Sequence, residues 1–420
     1  MVHHTIATRI APASNDSNTS QPMLNAFARR CALYVIVAFG LSACQVAPVK
    51  PPPARVPSTR AVYTPVAFDA LPGWTGDAID AAWPAFLIGC RALLNRGDPV
   101  WQAPCAAASE ADPRDAAGAR LFFEAHFTAY RIADDAGTDT GLFTGYYEPL
   151  LQGSRVATVR DGVPLYAPPD DLLVVELSDL YPELKGKRVR ARLDGRRVVP
   201  YWTRAQIDAG KAPVDGKVVA WVADAVEAFF LEIQGSGRIQ LDDGSVMRVG
   251  YADQNGQPFR SVARVLIDRG ELTADTASMQ AIKAWGRRHP EQLPALLEAN
   301  PSYVFFREVA PPVPGTLEAR IDGPIGSLGV PLLAERTIAV DPRYVPLGAP
   351  VFIDTTRPLS NTPLQRLVLA QDTGGAIRGI ARADFFWGFG DSAAREAGRM
   401  RQQGRMWLLW PRDAAPPVAR

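Results

Sequence analysis

From Gln152 to Tyr251 the chain is cut into short β-branched runs separated by charged and turn residues, a texture that reads as a small β domain. The runs are Val156–Val159, Leu172–Leu177, Arg188–Val199 and Lys217–Val222. Ala228–Ile233 (AFFLEI) reads as a strongly apolar strand. Gln234-Gly235-Ser236-Gly237 follows, then Arg238–Leu241, an Asp242-Asp243-Gly244 turn and Ser245–Tyr251, which is a hairpin pattern. The QGSG loop suits a polar backbone turn facing a ligand, or a plain Gly-rich turn. It lacks a Walker lysine and Rossmann spacing, which argues against phosphate binding.

The flanks are more mixed. Val62–Leu71 reads as a strand and turn, and Asp77–Leu94 as a helix with Ile79, Ala82, Trp83, Phe86, Leu87 and Leu93 near helical spacing. Asp112 and Pro113 suit the start of a second helix running to Tyr130 and burying Leu121, Phe122 and Phe127. Gly141–Leu150 (GLFTGYYEPL) looks like a strand carrying Thr144, Tyr146 and Glu148. These residues could line a sugar groove or belong to an ordinary aromatic strand. Phe259–Arg269, Thr276–Arg288 and Glu291–Ala299 read as helices, and Ser302–Arg307 as a strand returning the chain to the first domain. Strands are expected at Gly315–Asp322, Val330–Val340 and Pro350–Asp354, with a helix from Asp391 to Gln403 and a closing strand at Arg405–Trp410. The tail to Arg420 is expected to be disordered.

Within this last part, Leu367–Gly390 (LVLAQDTGGAIRGIARADFFWGFG) stands out. Asp372 ends an apolar run and precedes Gly374 and Gly375. Asp384 stands beside Phe385, Phe386 and Trp387, with Gly388 and Gly390 behind. Glycines let backbone approach a ligand, aromatic faces stack on sugar rings, and apolar neighbours keep a carboxylic acid protonated as a general acid requires. The alternative is turn chemistry at Asp372 and an aromatic core after Asp384.

The 420 residues carry a net charge of +1 with 47% apolar content, and no Lys/Arg-rich run suggests a nucleic-acid partner. At the N-terminus, Arg29 and Arg30 precede a short apolar stretch, Ala32–Gly40, and Leu41-Ser42-Ala43-Cys44 resembles a bacterial lipobox. Residues 1–43 are therefore expected to be a signal segment, with Met23 a candidate start, and Cys44 a lipidated mature N-terminus; a simple signal peptide with a chance cysteine is the alternative. Gln45 in place of Asp favours the periplasmic face of the outer membrane. Residues 44–59 are a Pro-rich tether. Cys90 and Cys105 remain in an oxidising compartment, either as a disulfide or as two buried thiols. No metal site or cofactor signature is visible, and after Cys44 the only histidines are His126 and His289.

Seven motifs now stand in one order: GLFTGYYEP, IQGSGRIQL, GYADQNGQPFRSVARVLIDRGEL, SMQAIKAWGRRHP, NPSYVFFRE, AVDPRYVPLGAPVFID and QDTGGAIRGIARADFFWGFG. Together they resemble the membrane-bound lytic murein transglycosylase A family over residues 60–412, including a C-terminal 3D domain named for three aspartates, here Asp341, Asp372 and Asp384. The resemblance implies a mainly β fold with some helices. A double-psi β-barrel would be built from 60–150 and 309–412, a second β domain would be inserted at 151–308, a glycan groove would lie between them, and 413–420 would be a tail. It implies cleavage of the β-1,4 bond between N-acetylmuramic acid and N-acetylglucosamine with 1,6-anhydromuramic ends, without a cofactor. Asp384 would serve as acid then base, Asp372 as its partner and Asp341 as a support. Thr144, Tyr146, Glu148, Gln234, Ser236 and Gly237 become candidates for holding the glycan. Asp391, close after Asp384, is a possible second carboxylate. A muramidase that adds water, and a glycan-binding envelope lipoprotein without activity, are the alternatives. Partners in cell-wall synthesis complexes are compatible with either.

Overall fold

The computed structural model describes residues 60–417 except 185–188 and 275. The signal segment, Cys44 and the tether lie outside the described residues. In chain order the strands are β1 Ala61–Val66, β2 Phe127–Asp134, β3 Thr140–Glu148, β4 Leu150–Ser154, β5 Val163–Tyr166, β6 Leu173–Val175, β7 Val189–Asp194, β8 Arg197–Pro200 and β9 Val218–Val222. They continue with β10 Ser236–Leu241, β11 Val246–Gln254, β12 Val304–Glu308, β13 Thr337–Val340, β14 Pro350–Thr356, β15 Pro363–Asp372, β16 Ala383–Phe389 and β17 Arg401–Pro411. The fold is mainly β with helices between strands.

Strands from the two ends of the chain make one eight-stranded sheet, ordered β1-β2-β17-β14-β15-β13-β16-β3, and a further pairing of β17 with β3 closes six of them into a ring. Closure is possible because β17 is long: its first half pairs with β3 and its second half with β2 and β14. Closing a sheet removes exposed edges and encloses a packed interior. Phe143, Val340, Phe352, Leu367 and Leu408 are buried in the core of this sheet, and Trp74, Phe86, Phe123 and Phe127 belong to the same cluster. The chain leaves this sheet after Glu148 and re-enters at Thr337. In between, β12-β11-β10-β4-β9-β5 form a six-stranded sheet and β6-β7-β8 a three-stranded one.

Several expected elements differ. AFFLEI is helical, within Ala225–Gln234. Asp224 caps its start by accepting from Val226 N–H and Glu227 N–H, and Gly235 ends it in a left-handed conformation. Val226 and Phe229 pack on one cluster, with Trp285, while Ala228 and Leu231 pack on another, with Ile239. A helix wedged between two cores is apolar on both sides and loses the amphipathic signal. The second helix is Ala116–His126, capped by Asp115 rather than Asp112, and it passes straight into β2. Leu121 is exposed on it. The first helix is Trp83–Asn95 after a 3-10 turn at Ile79–Ala82.

Ser302–Arg307 does not return to the first sheet; its β12 pairs with β11 at the edge of the six-stranded one. Gly315–Asp322 holds a 3-10 turn at Glu318–Arg320, and only Thr337–Val340 of the expected Val330–Val340 strand is extended. The last helix is Gly390–Ala397, shortened because β17 begins at Arg401. In the tail, Trp410 Nε1 donates to Ala415 O at 2.8 Å and Ala414 packs on the core, so Ala414 and Ala415 are ordered against the body.

Candidate active site

The ladder register brings the two aspartates together. Ala339 of β13 pairs with Asp372 of β15 on one side and Asp384 of β16 on the other, and Asp384 pairs in turn with Thr144 of β3. Asp372, Ala339, Asp384 and Thr144 therefore form one row across four strands. With strands ~4.8 Å apart, the two aspartate backbones lie about 10 Å apart with only an alanine side chain between. Phe386 pairs with Tyr146 two residues along, so Thr144 and Tyr146 share a face of β3. Gly145 between them faces the other way. A Cβ there would stand 2.6 Å from Trp387 Nε1 and 2.9 Å from Ala397 Cα, so glycine is what lets β3 lie this close to β16 and the following helix.

Thr144 Oγ1 donates to Asp384 Oδ1 at 2.5 Å and accepts from Arg382 Nη2 at 2.8 Å. Arg382 thus fixes the direction of the hydroxyl proton. Among the described residues Asp384 Oδ2 takes no hydrogen bond, which leaves it able to carry a proton toward a ligand. Burial pushes the Asp384 carboxyl up to about 6, against the Thr144 hydrogen bond and the Arg382 charge, and the Asp372 charge adds to the rise.

Asp372 is held differently. Its Oδ1 accepts from Ser327 N–H at 2.9 Å, Ser327 Oγ at 2.8 Å and Thr373 N–H at 2.9 Å, and its Oδ2 from Tyr146 Oη at 3.1 Å. Burial raises its pKa, and those hydrogen bonds oppose the rise by favouring the anion. Tyr146 is raised well above the ordinary tyrosine value, by burial first and then by the two carboxylates, so it stays a neutral donor.

The remaining candidates fall elsewhere. Asp341 is buried. Its carboxylate binds Arg343 at 2.6 Å and accepts from the N–H of Gly379, at φ +125°, at 2.9 Å. Burial works against the anion, but the Arg343 and backbone hydrogen bonds outweigh it and hold the pKa below the usual range. It ties down the loop before β16. Glu148, at the far end of β3, is buried and paired with Arg238 at 2.8 Å; burial raises its pKa against the pull of that arginine. Ser236 lines a cavity with Glu148. Gln234 Oε1 accepts from Tyr147 N–H at 3.2 Å, and Gly237 is packed where a Cβ would stand 2.4 Å from Leu231 Cδ1. Gln234 and Gly237 thus sit in the seam where β3 meets β10 and the preceding helix. Asp391 lies in the first turn of the last helix and lines a pocket with Tyr147, on the face of β3 opposite Thr144 and Tyr146.

Phe385, Phe386 and Trp387 are buried, and Phe386 packs on the Tyr146 ring at 5.1 Å, so these rings are core and offer no sugar platform. Cys90 and Cys105 are bonded, joining the helices Trp83–Asn95 and Gln102–Glu110. Arg382 and Ser327 are the partners that sequence reasoning missed. Arg382 sat inside a quoted motif, whereas Ser327 lies in a loop with no motif.

One carboxyl poised to give up a proton near neutrality, beside a second held by four donors, equips a protein for acid–base chemistry. Residues 142–307 match the model of the MltA specific insert domain and residues 336–410 that of the 3D domain. The chain is 38% identical to MltA from Neisseria gonorrhoeae, whose crystal structure it matches with a TM-score of 0.75 over 86% of this chain and 95% of that one. It is 27% identical to E. coli MltA crystallised with bound chitohexaose, with a TM-score of 0.60 over 85% of this chain and 95% of that one. The membrane-bound lytic murein transglycosylase A of Escherichia coli (strain K12) is 33% identical over 275 residues, 64% of this chain; the match spans 65% of that relative's length. The chain belongs to the membrane-bound lytic murein transglycosylase A family.

Proposed function

We propose that this protein is a lytic transglycosylase of peptidoglycan, cleaving the β-1,4 bond between N-acetylmuramic acid and N-acetylglucosamine and leaving a 1,6-anhydromuramic end. The observation that carries the reading is Asp384: its pKa is lifted to about 6, Oδ1 is held by Thr144, and among the described residues Oδ2 takes no hydrogen bond. Oδ2 gives its proton to the bridging oxygen as the bond to muramic C1 breaks. The resulting carboxylate takes the proton of the C6 hydroxyl as O6 bonds to C1. Atoms balance without water, and the tethered nucleophile avoids the entropy of recruiting a second reactant. Ordinary glycosidases divide these duties between two carboxyl groups. Here Asp372 accepts from Tyr146 and so positions it, and the negative charge of Asp372 favours the protonated form of Asp384. We read 60–150 with 309–412 as the double-psi barrel domain and 151–308 as the insert. The bound chitohexaose of the E. coli relative supports a glycan ligand, which we place in the groove between them.

Digestion of purified sacculi with residues 60–420 tests this by mass spectrometry. Anhydromuramic products, lighter by one water than hydrolytic ones, are expected, and Asp384→Asn should reduce their release by at least about a thousandfold. Reducing ends would overturn transglycosylation and make Asp372 the second carboxylate of a hydrolase. Binding without any product would leave a glycan-binding module. Attachment to the outer membrane through a lipid on Cys44 is the matching localisation. Cys44→Ala should release the protein from membranes, and persistent attachment would exclude that anchor.

A further inference from the structure

The cavity lined by Glu148 and Ser236, of about 290 Å³, opens where β11 faces the segment 309–331. Glu148 and Ser236 form one wall, and Val249, Val309, Val313 and Ile321 make much of the rest apolar. The acidic groups at this cavity are committed. Glu148 pairs with Arg238 at 2.8 Å, and Glu318 with Arg91 at 2.6 Å. Arg248 is also engaged, donating to Gly323 O at 2.7 Å and lying 3.5 Å from Asp322. Arg307 is different. It stands exposed on β12 opposite Gly250, lines the same cavity, and has no acidic or hydrogen-bonding partner among the described residues. The cavity therefore presents apolar walls and one uncommitted positive charge.

Two connections fix its place relative to the acid. Thr144, Tyr146 and Glu148 alternate along one face of β3, so Glu148 lies about 13 Å from Thr144 along the strand. From the other side, Pro324 and Ile325 line the cavity while Ser327, two residues on, holds Asp372. The bridge between Ile325 and Pro331 and the bond from Leu332 N–H to Pro324 O at 2.9 Å close this loop on itself.

We propose that this cavity seats the peptide stem of the muramic acid undergoing cleavage, with Arg307 pairing with a stem carboxylate. The proposal rests on the transglycosylase reading. An extended stem of four residues spans roughly 13–14 Å, which matches the offset between Asp384's neighbour Thr144 and Glu148. Stem alanine methyls suit valine and proline walls, and stem carboxylates suit an unpaired guanidinium.

The test has two readouts. Titration calorimetry with the free stem tetrapeptide (two alanines, a glutamate and a diaminopimelate) should show one-to-one binding to the wild type. Arg307→Glu should weaken it at least about tenfold, since loss of a charge-assisted bond is worth that much, while Arg307→Lys keeps most of it. In parallel, kcat/KM is compared on glycan strands with and without stems. The wild type should favour the stem-bearing strands, and the ratio should collapse toward one in Arg307→Glu. Absence of peptide binding, or equal binding by Arg307→Glu, overturns the proposal whether or not bare glycan is cleaved. Peptide binding that depends on Arg307, in a protein that cleaves neither glycan, supports the site and refutes the transglycosylase reading instead.

Discussion

Replacing Thr144 by valine isolates one hydrogen bond on the acid. Valine keeps the branched shape and strand preference of threonine but donates nothing to Asp384 Oδ1. The bond is stronger to the ionised carboxylate than to the protonated acid, so its loss must raise the pKa. A hydrogen bond to a charged group contributes about 1.5–3 kcal/mol against about 0.5–1.5 to a neutral one, and 1.36 kcal/mol corresponds to one pH unit, so the shift is upward by about one pH unit and at most about two. Arg382 moderates the change. It loses Thr144 Oγ1 as an acceptor but keeps Leu142 O at 3.2 Å, and its freed Nη2 can turn toward the carboxylate. The expected shift is therefore near the lower figure. If Asp384 must be protonated to start the reaction, the descending limb of kcat/KM reports its pKa in the free enzyme. That limb should move from about 6 in the wild type to about one pH unit higher in Thr144→Val. The assay is release of soluble muropeptides from sacculi between pH 4 and 9. A limb that stays in place or moves down would show that Asp384 is not the titrating acid.

Asp372→Asn removes a charge that raises Asp384, so the same limb should move to lower pH; an upward shift would contradict the assigned coupling. Arg336 binds buried Asp77 through both nitrogens, at 2.8 and 2.9 Å, and Arg336→Ala leaves that carboxylate without a counter-charge. A loss of about 3–5 kcal/mol in urea unfolding is expected, and a loss below about 1 kcal/mol would show that water replaces the arginine. Removing the Cys90–Cys105 bond, which closes a loop of sequence separation 15, should lower stability by about 3 kcal/mol while leaving the pH limb of the refolded enzyme in place.

Legibility in the sequence followed local chemistry. Thr144, Tyr146, Asp372 and Asp384 were recognisable because each sits in a short motif with glycines on a strand. Their meeting was not, because it depends on a register across β15, β13, β16 and β3, and a ladder between residues far apart in sequence leaves no local mark. Ser327 shows the same limit: it reaches Asp372 across 45 positions from a loop of prolines and glycines. AFFLEI misled for another reason. A short apolar run does not distinguish a buried strand from a helix buried on both sides, and the deciding signals, Asp224 before it and Gly235 after it, lie outside the run. Phe385–Trp387 could serve either as core or as a sugar platform in one dimension, and burial decided for core.

The same register explains how the Asp384 carboxyl is tuned. Four influences act on Asp384: burial, one donor on Oδ1, the Arg382 charge and the Asp372 charge. β3 brings the donor, β15 brings the anion, and the ring through β17 supplies the burial. The chain between Glu148 and Thr337 joins this sheet through β3 and β13, two strands of that row. One connection leaves from the end of β3 at Glu148, and the other passes through the loop that presents Ser327 to Asp372.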